Sequence, residues 1–307
     1  MVGTHRPHPR PHVLQARAPI DILHPDHPTH IHIDPAMKSP AIAILVLLGA
    51  PVALPAAVLT GLWEFDDQTN PGAATVGVPM SFAGAAPGTW SAALSDDQAD
   101  SLAGVLTTPP AAAATRFIAT HGIAPNGGGA YVNEYSVLVD LFSPAGSRAA
   151  WRTIFQTNEN NTNDADYFIN PTGNAGVSAL TYSPAALDAS SWTRLVVTFD
   201  LESAGPSVVR TYLNGLPFHT HALTGGMDGR FSLDPTLLFF SDEDGDNAPL
   251  HIGAVATFSG ALSEGEVATL GAAGAAVVPE PQTAGLLAAA LAGLAGRRRS
   301  RVQITAP

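Results

Sequence analysis

Between residues 62 and 259 the chain alternates apolar and polar positions with a period near two, and helical periodicity is almost absent. Period-two alternation is the mark of strands with one face on a core. Residues 135–142 (YSVLVDLF) are the clearest case. Tyr135, Val137, Val139 and Leu141 fall on one face; Ser136 and Asp140 mark the other, which also carries Leu138 and Phe142. Similar runs predict strands at 151–157, 167–170, 176–182, 192–201, 207–213, 237–241 and 251–259, bounded by Gly, Pro, Asn and Asp clusters. Asn214-Gly215 directly follows Tyr212-Leu213, and both positions of an Asn-Gly pair tolerate positive φ, the strongest two-residue hairpin signal. Residues 72–130 are rich in Ala, Gly, Pro and Thr and predict long loops and edge strands, with weak strands at 80–82 and 116–120. The spacing predicts an all-β antiparallel sandwich or jelly roll. One short helix is expected near the end, where Ser263-Glu264-Gly265-Glu266 has the capping-box pattern and Val267 and Leu270 dock against a sheet edge.

Two apolar segments break this pattern, one at each end. Met37-Lys38 opens the first, which runs AIAILVLLGA over 41–50 and ends in small residues at Ala56-Ala57. One positive charge, a short apolar stretch and small residues make residues 37–57 a secretory signal peptide, cut near Ala56 or Ala57. Residues 1–36 hold seven histidines and seven prolines. Such a segment cannot bury a core and reads as disordered. His-rich tracts bind metals, but a mis-assigned start upstream of Met37 is the simpler account.

The second segment follows Pro279-Glu280-Pro281: residues 283–296 carry no charge, and Arg297-Arg298-Arg299 close the run. Arginines hold such an end on the cytoplasmic side of a bilayer. About 20 residues are needed to cross the hydrocarbon core. The run is shorter and rich in weakly apolar Ala and Gly, so it suits transient membrane association better than a lasting anchor. The order of tripeptide, apolar run and arginine cluster over 278–301 resembles the PEP-CTERM sorting signal. That resemblance implies export through the secretion machinery and processing by an exosortase at the bacterial envelope.

The body between these ends, about 58–278, carries 22 acidic residues against six arginines and no lysine, a net charge of −16. A surface of this sign repels nucleic acid and anionic lipid, and it favours divalent cations and neutral partners such as glycans. The chain has no cysteine, so stability rests on core burial, helped by any bound metal.

Gly61-Leu62-Trp63-Glu64-Phe65-Asp66, residues 135–142, the run 192–200, the run 209–215 and Ala261-Leu262-Ser263-Glu264 before a helix occur in that order. Together they resemble laminin-G-like, concanavalin A-like domains. The resemblance implies a two-sheet antiparallel jelly-roll sandwich over 58–272, a linker at 273–277, and binding of glycans, proteins or Ca²⁺. Some relatives with added acidic residues hydrolyse polysaccharides.

Two acidic clusters are the candidate metal ligands: residues 158–166 (NENNTNDAD, with Asp164 and Asp166) and 242–247 (DEDGDN, with Asp242, Asp244, Asp246 and Asn247). Ca²⁺ takes six to eight hard oxygens, and Gly245 lets the second loop curl around one ion. The EF-hand pattern is not met. The same residues also suit solvated turns, and both readings stand. Trp90 and Tyr131, in Gly-rich stretches, are the candidate ligand-binding aromatics; Trp151 and Trp192 at strand starts read as core. His219 and His221 form an H-x-H pair without a third ligand nearby, which reads as structural. The motifs HExxH and GxSxG, a phosphate-binding loop, a Cys nucleophile and an ExDxE strand are all missing. The expectation is an exported, noncatalytic envelope or matrix protein binding a glycan or an envelope protein, with Ca²⁺ at a loop rim. The alternatives are a secreted glycan hydrolase of divergent site and a structural surface component.

Overall fold

The computed structural model describes residues 57–84, 88–91, 104–110, 116–159, 164–242 and 245–277, apart from the side chains of 89–91. The His/Pro-rich segment 1–36, the segment read as a signal peptide up to residue 56, and the sorting signal 278–301 lie outside the described residues. The described chain runs through β1 (Val58–Trp63), β2 (Ser81–Ala83), β3 (Thr89–Ser91), β4 (Val105–Thr107), β5 (Arg116–Thr120) and β6 (Glu134–Phe142). It continues through β7 (Arg152–Gln156), β8 (Asp166–Ile169), β9 (Asn174–Val177), β10 (Thr181–Ala186), β11 (Thr193–Asp200) and β12 (Pro206–Leu213). The last elements are β13 (Leu216–Thr224), β14 (Thr236–Phe239), β15 (His251–Ser259) and the helix α1 (Glu264–Leu270).

These strands form a two-sheet antiparallel jelly roll. The first sheet has the order β13-β12-β11-β6-β15-β4-β3, with β1 also paired to β15. The second has the order β10-β9-β8-β7-β14-β5-β2. The chain changes sheet on either side of β2, of β5 and of β14, between β6 and β7, and between β10 and β11, which is what wraps one sheet over the other. The alternation in β6 is used as the sequence predicts. Tyr135, Val137, Val139 and Leu141 enter the core between the sheets, where they meet Phe155, Tyr167, Phe199 and Phe239. The Asn214-Gly215 turn closes the β12–β13 hairpin with φ of 50° and 83°.

The opposite face of β6 is buried too, and this departs from a two-layer expectation. α1 lies on the outer face of the first sheet, alongside its edge strand β13. Val267 and Leu270 are fully buried against Leu138, Val196, Tyr212 and Ala256. The capping box forms as read: Glu266 N–H donates to Ser263 Oγ (3.3 Å), and Ser263 N–H donates to Glu266 Oε2 (2.8 Å). Arg194 and Asp140, directly opposite each other on β11 and β6, are both wholly buried beneath this layer. Arg194 Nε and Nη2 donate to the two Asp140 oxygens at 2.7 Å each. The guanidinium also donates to the carbonyls of Leu270 and Ala275 (2.6 Å for the latter), and Gly274 N–H donates to Asp140 Oδ2 (3.0 Å). Residues 273–277 are therefore not a free linker: Ala275 is tied to Arg194, and Val277 is buried in the outer cluster.

One strand reading is corrected. The run 176–182 is two strands, because Leu180 N–H donates to Val177 O (2.9 Å) and turns the chain between β9 and β10.

Candidate functional site

The two acidic segments of the sequence meet on the second sheet. Gln156, the last residue of β7, pairs with Asp166 of β8 and sends its side-chain amide to Asp242 Oδ1 (3.1 Å). After β14 the chain does not leave as a rim loop. It runs back along β7: Phe240 N–H donates to Ile154 O (3.2 Å), and Ala248 N–H donates to Trp151 O (2.9 Å). Thr153 Oγ1 donates to the Asp246 carbonyl (3.0 Å). Tyr167 and Ile169 of β8 point into the inter-sheet core, so the alternating Asp166 and Phe168 face outward. Asp242 and Asp246 thus lie over the outward face of the second sheet.

Within that segment Asp242 is buried, and its Oδ2 accepts Asp246 N–H (3.0 Å). Gly245 has φ of 84°, which permits the reversal that the sequence predicts. Asp246 is exposed. Asn247 is buried; its amide nitrogen donates to Phe240 O, while Oδ1 has no hydrogen-bond partner. Tyr182 of β10 reaches the same place. Burial, then the charges of Asp166 and Asp246, push its hydroxyl above the ordinary tyrosine value, and that buried oxygen too lacks a partner.

Trp151 stands beside these groups and is half-buried rather than core. It packs edge-on against Phe168 (centroids 5.6 Å) and tilted against Tyr182 (5.7 Å). Trp151, Pro171, Asp246 and Asn247 line an open cleft of about 360 Å³. Trp192, by contrast, is buried against Phe142, as its strand-start position predicts.

The remaining sequence candidates go elsewhere. Asp164 is buried, and its carbonyl accepts Arg230 Nε (2.9 Å). Asp244 lies outside the described residues, as do Pro279, Glu280, Pro281, Arg297, Arg298 and Arg299; Trp90 is placed on β3 by its backbone alone. Tyr131 is 44% exposed at the mouth of a separate cavity of about 250 Å³ walled by Ile123, Pro125, Val132 and Leu233. Its loop is held by Asp228, whose carboxylate accepts from Asn133 Nδ2 and from the Ala130 and Tyr131 amides at 2.8–3.0 Å. Those bonds keep Asp228 below the usual carboxylate range. His121 on the cavity wall is fully engaged: Nε2 meets Asp234 O (2.6 Å), and Nδ1 accepts Ile123 N–H (2.9 Å).

Of the residues at this candidate site, Trp151 reads from the sequence as core, and Gln156 and Tyr182 are not marked by it at all. Gln156 and Tyr182 are single polar or aromatic positions in ordinary strand runs, and nothing in their spacing marks them.

Residues 277–299 match the family model of the PEP-CTERM protein-sorting motif. The chain carries an exosortase sorting signal. The motif marks an exported protein sorted to the cell envelope or surface, with exosortase as its sorting partner. No helix among the described residues is long and apolar enough to cross a membrane; the 283–296 run lies outside them. No curated protein matches the chain. Among solved structures it is similar to domain 4 of AbnA, a GH43 extracellular arabinanase from Geobacillus stearothermophilus, in complex with arabinotriose. There the identity is 17%, the TM-score 0.48, and the match covers 70% of this chain and 99% of that one. It is also similar to the receptor binding domain of botulinum neurotoxin C/D mosaic serotype (15%, TM-score 0.45, 70% and 50%). A third likeness is the binding domain of Paraclostridial Mosquitocidal Protein 1 (10%, TM-score 0.44, 70% and 51%). The match spans about half the length of the two toxin domains. At these scores the likeness adds nothing to the fold read from the strands themselves.

Among the described residues no three His, Asp or Glu side chains converge as a ready-made metal centre. The outward face of the second sheet nevertheless carries carboxylates of the kind Ca²⁺ takes, at Asp166 and Asp246 beside Tyr182.

Proposed function

We propose that this exported protein is a noncatalytic binding module whose ligand is a glycan held in the Trp151 cleft, with Ca²⁺ on the adjoining acidic face. The reading rests on one juxtaposition: a half-buried Trp151 beside the exposed carboxylate of Asp246 in an open cleft whose lining also includes Asn247. A sugar ring has an apolar C–H face and a periphery of hydroxyls. The indole suits the first, and carboxylate and amide oxygens suit the second. The Tyr131 cavity is walled almost wholly by apolar groups and offers hydroxyls little, so the Trp151 cleft is preferred. Bound Ca²⁺ supplies charge neutralisation of Asp166 and Asp246 and further coordination sites for ligand oxygens. Asp242, with both oxygens taken by N–H donors, is suited to bracing the loop rather than to delivering a proton.

The test is binding of the purified protein to bacterial exopolysaccharide and a glycan array, with and without Ca²⁺. Trp151→Ala is expected to weaken binding about tenfold, the scale of one aromatic contact, while thermal unfolding stays cooperative. Millimolar Ca²⁺ is expected to raise the melting temperature, reversibly with chelator, and Asp246→Ala to abolish the rise. No shift at millimolar Ca²⁺ removes the ion from the reading. Release of reducing sugar that is lost in Asp242→Asn replaces binding by hydrolysis. Neither binding nor hydrolysis leaves a structural surface component.

A further inference from the structure

β13 and β10 are the last strands of the two sheets on the same flank of the sandwich. His219 and His221 lie two apart on β13, opposite Thr211 and Val209 of β12. Val209 is a core residue, and Thr211 Oγ1 meets the hydroxyl of Tyr167 from the other sheet (2.7 Å). Both histidines therefore face inward. Their rings stand 4.2 Å apart and nearly perpendicular. From the opposite edge, Thr181 Oγ1 of β10 comes within 3.4 Å of His221 Nδ1. The Nε2 atoms of both rings are buried and have no hydrogen-bond partner.

Two orphaned imidazole nitrogens side by side call for an explanation, because buried polar atoms are ordinarily paired with protein, water or an ion. No such pair of gaps is needed to hold the hairpin, which its backbone ladder and the Asn214-Gly215 turn already define. Neutral imidazole suits borderline transition metals and not Ca²⁺, which prefers oxygen.

We propose that His219 and His221 form a two-imidazole site for a divalent transition metal of the Zn²⁺, Ni²⁺ or Cu²⁺ class, with water completing the coordination shell. Zn–N bonds of about 2.0–2.1 Å at a tetrahedral angle place two ligating rings roughly 5 Å apart between centroids. The observed pair, at 4.2 Å, needs to open by about 1 Å. Among the described residues no third His, Asp or Glu joins them, so the ion keeps open positions and exchanges readily. Bound there, it braces the flank where the two sheet edges meet, in a chain with no cysteine to staple it. This site is on the inner side of β13, separate from the acidic face, and takes a different class of ion.

The full chain holds seven further histidines in residues 1–36, so total metal uptake does not isolate the pair. The unfolding temperature of the folded domain does. Zn²⁺ at about 0.1 mM is expected to raise it by roughly 5 °C in the unaltered protein, as for a ligand well above its dissociation constant. His219→Gln and His221→Gln are each expected to lose that rise, and Ca²⁺ is not expected to reproduce it in an Asp246→Ala background. An equal Zn²⁺ shift in both variants, or none in the unaltered protein, overturns the proposal. If either variant fails to fold, crystals of the unaltered protein soaked in Zn²⁺ decide: anomalous density between the two rings supports the site, and its absence refutes it.

Discussion

Arg194→Ala tests whether the buried ion pair holds the outer layer of the domain. The substitution removes two 2.7 Å bonds to Asp140 and the donors to the Leu270 and Ala275 carbonyls, all in a place with no access to water. Asp140 keeps Gly274 N–H but faces no cation on that side. Breaking a buried pair by removing one partner costs about 3–5 kcal/mol. In a domain of roughly 220 residues each kcal/mol is worth about 2–4 °C, so the melting temperature should fall by about 6–20 °C. Arg194→Lys keeps the charge but not the planar fork, and should recover only part of the loss. The double variant Asp140→Leu/Arg194→Met removes both charges together and should lie nearer the unaltered protein than Arg194→Ala does. Hydrogen exchange at Gly274 should rise in Arg194→Ala because its acceptor is no longer held. A melting temperature within about 2 °C of the unaltered protein would refute the reasoning. It would mean that residues 271–277 contribute little to the fold.

Two further outcomes follow from local contacts. Ser263→Ala removes the acceptor for Glu266 N–H and breaks the capping box, with an expected loss of about 1 kcal/mol in urea unfolding and no change in strand circular dichroism. His121 is held below the ordinary histidine value by burial, opposed only by its bond to the Asp234 carbonyl. Its folded pKa is thus depressed relative to the unfolded chain. The stability it contributes is complete above about pH 6.5 and declines as pH falls through the depressed value. His121→Gln should flatten that part of the stability–pH curve. An unchanged slope between about pH 6.5 and 5 would show that His121 is not its source.

What the sequence alone determined were the features written in local periods and short motifs. Alternation in 135–142 assigned the inter-sheet core correctly, because a strand's two faces are fixed by backbone geometry whatever packs on them. Asn214-Gly215 and Ser263 to Glu266 set their turn and cap through their own backbone preferences. The PEP tripeptide, apolar run and arginines are likewise a linear signal, legible without a fold.

Tertiary structure decided whatever depended on partners distant in the chain. Asp140 reads as a solvent-side residue of β6 until α1 and residues 271–277 cover that face and Arg194 meets it from β11. The acidic segments around Asp166 and Asp242 come together only because β7, β8 and the returning chain after β14 are neighbours in the second sheet. Trp151 reads as core by its strand-start position, yet the outward face leaves it half-open beside Asp246. His219 and His221 look the same in sequence whether their rings find partners or not. Only the meeting of two sheet edges leaves their Nε2 atoms buried and unpaired. Local propensity acts within a few residues, whereas burial and polar satisfaction are properties of the assembled sheets.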